Sequence, residues 1–195
     1  MSHVKFSESA EQTSLFGFWT YLMTDAVIFG TLFAVYAVMR NNTFGGPSAN
    51  NLFDLKFVLV ETLVLLMSSF TCGLALISLQ GKKLFQIYLW LIITLLLGVV
   101  FLVMEVSEFR LLLGEGHSWT TSGFLSAYFV LVGTHGLHVT VGLLWILFMI
   151  YQIYIKGLKP AVSKRIKMLG IYWHFLEVVW VFIFTFVYLA GVITL

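Results

Sequence analysis

Five stretches dominated by apolar side chains, residues 16–39, 58–79, 84–104, 124–155 and 169–195, constrain this chain more than any other feature. Each reaches the roughly 20 residues that an α-helix needs to cross a bilayer. The bulk numbers agree: mean hydropathy is +0.98 and only 10% of residues are charged, where soluble domains average about 25%. The expected fold is an all-α integral membrane protein, a five-transmembrane-helix bundle forming one membrane domain over 1–195 with no soluble domain. Between the spans, Asn41-Asn42-Thr43-Phe44-Gly45-Gly46-Pro47-Ser48 is turn chemistry, Gly81-Lys82-Lys83 a tight reversal and Gly114-Glu115-Gly116-His117 another break. The last link, 157–167, is basic. The first fourteen residues carry Lys5, Glu8 and Glu11 and lack a short apolar core, so no signal peptide is expected and the first helix directs insertion itself.

Five crossings put the termini on opposite sides, and Lys and Arg are retained on the cytoplasmic side. Lys5, Lys82, Lys83, Lys156, Lys159, Lys164, Arg165 and Lys167 fall together, against Arg40, Lys56 and Arg110. This predicts a cytoplasmic N-terminus and a periplasmic C-terminus. Trp119 is expected near the outer interface and Trp173 near the inner one. A net charge of +2 with scattered carriers argues against a nucleic-acid surface. The lone Cys72 allows neither an internal disulfide nor a cysteine-based metal site. Neither an internal repeat nor paired interrupted helices point to an inverted-repeat transporter.

An ionisable side chain inside a membrane costs roughly 2.5 to 3.5 kcal/mol on insertion scales and needs a partner or a purpose. At about 1.5 Å per residue, Asp25 lies near mid-membrane and Glu61 roughly 5 Å from the outer end of its span. Glu105 and Glu108, three apart on one face, are expected at the outer boundary, pairing with Arg110 in partly wet surroundings. His135 and His138 share a face of the fourth span, and His174 and Glu177 repeat that spacing in the fifth. Two polar groups of residues follow: an outer cluster of Glu61, Glu105, Glu108 and Arg110, and about 15 Å deeper a core of Asp25, His135, His138, His174 and Glu177.

Imidazoles and carboxylates can ligate zinc, iron or copper. Di-iron bundles, however, take a Glu from each of two helices and a Glu-x-x-His pair from each of two others, and only one such His/Glu pair is present here. The competing reading makes the deeper group an interhelical hydrogen-bonding core, each bond contributing about 0.6 to 2 kcal/mol, with Gly133 and Gly136 permitting close helix approach. Proton handling and lipid headgroup contact are further readings. The interhelical core is the one adopted, with no catalytic residue and no metal ligand assigned.

Phe16-Gly17-Phe18-Trp19, Ser68-Ser69-Phe70-Thr71, Glu108-Phe109, Gly133-Thr134-His135-Gly136-Leu137-His138-Val139 and Tyr172-Trp173-His174-Phe175-Leu176-Glu177-Val178-Val179-Trp180 resemble subunit III of the haem-copper terminal oxidases. Nearly the whole chain takes part. The five-helix form, Gly45-Gly46-Pro47, Val60-Glu61-Thr62 and Met104-Glu105 resemble the cytochrome o ubiquinol oxidase branch; subunit III of a cytochrome c or menaquinol oxidase is the alternative. The resemblance implies a non-catalytic, stabilising subunit of a proton-pumping ubiquinol:oxygen oxidoreductase in the aerobic respiratory chain of the bacterial inner membrane. It implies subunits I and II and a small subunit IV as partners, with the haems and copper in subunit I, no cofactor in this chain, and a retained phospholipid. Asp25 stands where longer members have glutamate, and Glu177 where many have aspartate, so the charge is kept and the reach changes. From other classes, a free-standing membrane metalloenzyme and a proton-coupled transporter are the rivals.

Overall fold

The computed structural model describes residues 2–44, 52 and 54–193, and among them regular structure is helical throughout. The main elements are α1 (Ser2–Met39), α2 (Leu55–Gln80), α3 (Leu84–Gly114), α4 (Gly123–Lys156) and α5 (Pro160–Ile183). A π-helical stretch, Phe184–Leu189, and a short α6 (Ala190–Ile193) prolong the last one. Among the described residues, five helices are long and apolar enough to cross a membrane. The Gly45-Gly46-Pro47 part of the first loop lies outside the described residues.

Local chemistry sets the helix ends. Asp54 accepts a hydrogen bond from the Lys56 amide at 2.9 Å and so caps α2. Ser122 does the same for α4 through the Leu125 amide at 3.1 Å. Each satisfies an amide that has no partner inside its helix. Gly157 ends α4 at φ +64° and ψ −168°, a backbone combination open almost only to glycine.

Three helices outrun the expected spans, α1 by starting at Ser2. α3 continues ten residues past Met104 to Gly114, because no Gly or Pro interrupts it and Glu and Arg are good helix formers. α5 starts at Pro160, a residue pre-shaped for the first helical position. Much of the basic link is therefore helical, and Arg165 Nη1 donates to Gln152 Oε1 of α4 at 2.9 Å. Hydropathy marks where hydrocarbon contact stops, which is not where a helix stops.

α2 and α3 form the tightest pair, joined by the Gly81-Lys82-Lys83 reversal; α5 packs on α2 and α4, and α3 packs on α4. These four supply most of the core, and α1 packs on them against α4 and, less extensively, α5, adding Leu22, Phe29 and Tyr36 to it. The Tyr36 hydroxyl ties α1 to the π-helical stretch by donating to the Val187 carbonyl at 3.4 Å.

Trp173, 1% exposed, is at the centre of this packing and not at an interface as expected. Its indole is wedged between two glycines. A Cβ on Gly98 of α3 would stand 2.9 Å from Trp173 Cη2, and one on Gly142 of α4 would stand 2.9 Å from Cζ3. The indole N–H donates to Ser68 Oγ of α2 at 3.2 Å, and Ser68 donates to the Thr94 carbonyl of α3 at 3.1 Å. One side chain from α5 thus contacts the other three core helices.

Candidate interhelical polar sites

The five residues expected to form one deep core are divided among three places. Asp25 and His138 meet where α1 crosses α4. His138 Nδ1 lies 2.7 Å from the Thr134 carbonyl one turn earlier, so it carries the proton and donates. Its Nε2 faces Asp25 Oδ2 at 3.8 Å, and Asp25 is 5% exposed. That separation exceeds a hydrogen bond.

His135 is fully buried among rings, with centroid separations of 5.2 Å to Trp180, 5.9 Å to Phe101 and 6.3 Å to Phe29. Neither of its nitrogens has a hydrogen-bond partner among the described residues. It packs there as an aromatic plate, and the Phe29 ring also lies 5.2 Å from His138, so the two imidazoles flank one phenyl ring.

His174 and Glu177 are gathered elsewhere, at the α2–α5 seam. Ser69 Oγ lies 2.6 Å from His174 Nδ1 and donates to Glu177 Oε2, while the imidazole and carboxylate are 3.5 Å apart. A groove between the two helices, lined also by Leu66, Phe70 and Ile77, opens onto this triad. Ser69 was legible only as part of a family motif; nothing in its spacing marks it as the third member.

The outer cluster needs a correction. Glu61, Glu105 and Glu108 lie within electrostatic reach of one another and are 0%, 1% and 8% exposed. Arg110, in contrast, is exposed and makes no ion pair among the described residues. The physical reason is helical phase. At about 100° per residue Arg110 points roughly 140° away from Glu105, whereas Glu105 and Glu108 are only about 60° apart. Because α3 does not end at Met104, the acids sit inside the bundle instead of at a wet boundary. Glu108 Oε2 accepts from the Tyr188 hydroxyl at 2.9 Å, and Tyr188 and Tyr128 are joined at 2.9 Å.

Nor are the two groups 15 Å apart in depth. A Cβ on Gly136, the neighbour of His135, would overlap the Glu105 carboxyl, with Glu105 Cδ 2.9 Å away. Gly136 therefore does provide close approach, between α4 and α3, whereas Gly133 has only an ordinary contact with Phe109 at 3.8 Å. Further interhelical bonds had no signal in the sequence: Trp180 Nε1 donates to Thr62 Oγ1 at 3.1 Å, Thr71 and Thr94 hydroxyls pair at 2.8 Å, and Tyr172 donates to the His138 carbonyl at 3.0 Å.

Of these imidazoles and acids, His174 and Glu177 are bonded to α2 through Ser69, and Glu108 to Tyr188, whereas the carboxyl oxygens of Glu61 and Glu105, both nitrogens of His135 and Asp25 Oδ2 have no hydrogen-bond partner among the described residues. Among the described residues no three His, Cys, Asp or Glu side chains converge as metal ligands would. Cys72 is buried and free. The geometry is that of a framework.

The family model described as cytochrome c oxidase subunit III matches residues 5–192. The chain belongs to that family. It is 50% identical over 182 residues to a cytochrome bo(3) ubiquinol oxidase subunit 3 of Pseudomonas putida, covering 93% of this chain and 88% of the relative. It is 44% identical over 188 residues to a quinol oxidase subunit 3 of Bacillus subtilis, covering 96% and 92%. It is also 45% identical over 177 residues to a cytochrome c oxidase subunit 3 of Bacillus sp. strain PS3, covering 91% and 86%. As a subunit III family member with five span-length helices, the chain is a multi-pass membrane protein.

Proposed function

We propose that this chain is the non-catalytic, stabilising subunit III of a proton-pumping ubiquinol:oxygen oxidoreductase of the cytochrome o type, in the bacterial inner membrane. The observation that carries the reading is the family match over residues 5–192, supported by interhelical hydrogen bonds at Ser69–His174, Trp173–Ser68, Trp180–Thr62 and Tyr188–Glu108. The quinol branch rests on the relatives named as cytochrome bo(3) ubiquinol oxidase subunit 3.

In this reading subunit I holds the haems and copper and oxidises the quinol, and subunits I, II and a small subunit IV are the partners. The N-terminus is cytoplasmic and the C-terminus periplasmic. Asp25, His135, His138, His174 and Glu177 act as three separate fastenings that keep the bundle in the shape its partners recognise. A groove of about 410 Å³ between α1 and the end of α5, lined by Phe33, Ala37, Phe182 and Phe186 with Arg40 at one end, suits an acyl chain with its phosphate near the guanidinium.

The test is purification through an affinity tag on this chain from native membranes. The expected preparation contains larger partner chains and haem, and consumes oxygen with ubiquinol. The cytochrome c oxidase relative at 45% identity makes reduced cytochrome c the comparison substrate. Turnover with cytochrome c and none with quinol would reassign the branch, and a partner-free chain holding its own metal would overturn the reading.

A further inference from the structure

Of the Asp, Glu and His side chains within the described spans, His174 is the most exposed, at 42% of its side chain, with Glu177 beside it at 19%. Both open into the α2–α5 groove. Their partner Ser69 lies 11 residues from the Gln80 end of α2, about 16 Å along a helix and so near the middle of a hydrocarbon core of about 30 Å. Groups of this kind, facing lipid at that depth, would be expensive; in membrane proteins they face other protein.

The hydrogen bonds also define what such a protein must offer. The single Ser69 proton goes to Glu177 Oε2, so the short contact to His174 Nδ1 must be an Nδ1–H donating to Ser69 Oγ. That tautomer leaves His174 Nε2 as an acceptor, and the second Glu177 oxygen is another. On either side the groove is hydrocarbon: Phe70 is 62% and Ile77 65% exposed.

We infer that the α2–α5 groove receives a transmembrane helix of another subunit, whose side chain donates hydrogen bonds to His174 Nε2 and Glu177. The inference rests on the proposed membership of an oxidase complex and adds the face through which the chain joins it. An apolar helix carrying one donor, such as Asn, Gln, Lys, Arg or Trp, matches both the hydrocarbon walls and the acceptor pair. A lipid tail matches only the walls.

The test uses the whole complex in native membranes. A photoreactive benzoylphenylalanine replaces Phe70 or Ile77, and as controls Leu144 or Phe148, which are 61% and 52% exposed on α4. Before irradiation, tag purification shows whether the chain is in an oxidase complex at all; if it is not, the proposed function fails independently of this inference. Irradiation at 70 and 77 is expected to give adducts with another membrane subunit. Lipid adducts alone at both positions, or protein adducts from the α4 positions only, would overturn the inference.

The polar half of the claim is read by dissociation in increasing detergent. Glu177→Gln and His174→Phe are each expected to lower the amount of chain retained about 3-fold to 20-fold, the range for one interhelical hydrogen bond in a membrane. Retention unchanged by both, with the adducts present, would refute the donor requirement.

Discussion

Gly142→Ala tests the packing around Trp173 most directly. The new methyl carbon would lie 2.9 Å from Trp173 Cζ3 and 3.1 Å from Cε3, where carbon atoms rest at about 3.5 to 4.0 Å. The indole cannot retreat. Its far edge is already within 2.9 Å of where a Gly98 Cβ would be, and its N–H is held by Ser68 at 3.2 Å. Tyr172 Cε1, 3.2 Å from the same methyl position, blocks sideways relief. Forced overpacking of this kind costs about 1 to 3 kcal/mol, which for a chain of this size lowers the midpoint by roughly 2 to 12 °C. The assay is heating of the detergent-extracted full chain carrying a fluorescent fusion, followed by the fraction still eluting as a monodisperse peak. In a Trp173→Leu background the same Gly142→Ala change should cost less than half as much, because the ring it strikes is gone. A midpoint unmoved by Gly142→Ala, or an equal loss in both backgrounds, would refute the wedge.

Gly136→Ala should be at least as damaging as Gly142→Ala, since its methyl would occupy the Glu105 carboxyl, and Glu105→Ala should restore most of the loss in the same heating assay. Trp180→Phe and Thr62→Val each break the 3.1 Å bond between α5 and α2 at about 0.6 to 1.7 kcal/mol; the double variant should cost no more than either single one, so that a double-mutant cycle in the same heating assay returns the energy of that one bond as coupling.

Much of this molecule is written in composition. The runs around Val27, Leu65, Leu96, Leu143 and Phe182 are too apolar to be stable in water, and local caps at Asp54, Ser122 and Pro160 start the helices where the chain leaves them. The spacings of His135 with His138 and of His174 with Glu177 placed each pair correctly on one helix. The motifs around them were specific enough to indicate the family that the whole-chain match shows.

How those faces meet was not legible. Depth measured from hydropathy put Glu105 and Glu108 at a boundary because it took the end of the apolar run for the end of the helix. The same ruler merged Asp25, His135, His138, His174 and Glu177 into one core, since depth along the membrane normal says nothing about which side of a neighbour a residue faces. The sequence alone determined that there are five stretches long and apolar enough to cross a membrane, that imidazoles and acids lie within them, and which family the chain belongs to. Only the tertiary structure decided that α1 packs chiefly against α4, that Trp173 locks the core between Gly98 and Gly142, and that the polar residues split into an Asp25–His138 contact, an aromatic nest for His135 and a half-open Ser69–His174–Glu177 triad. Those outcomes depend on the rotation of each helix about its own axis, which is set by side chains meeting from different helices and is encoded in no single segment.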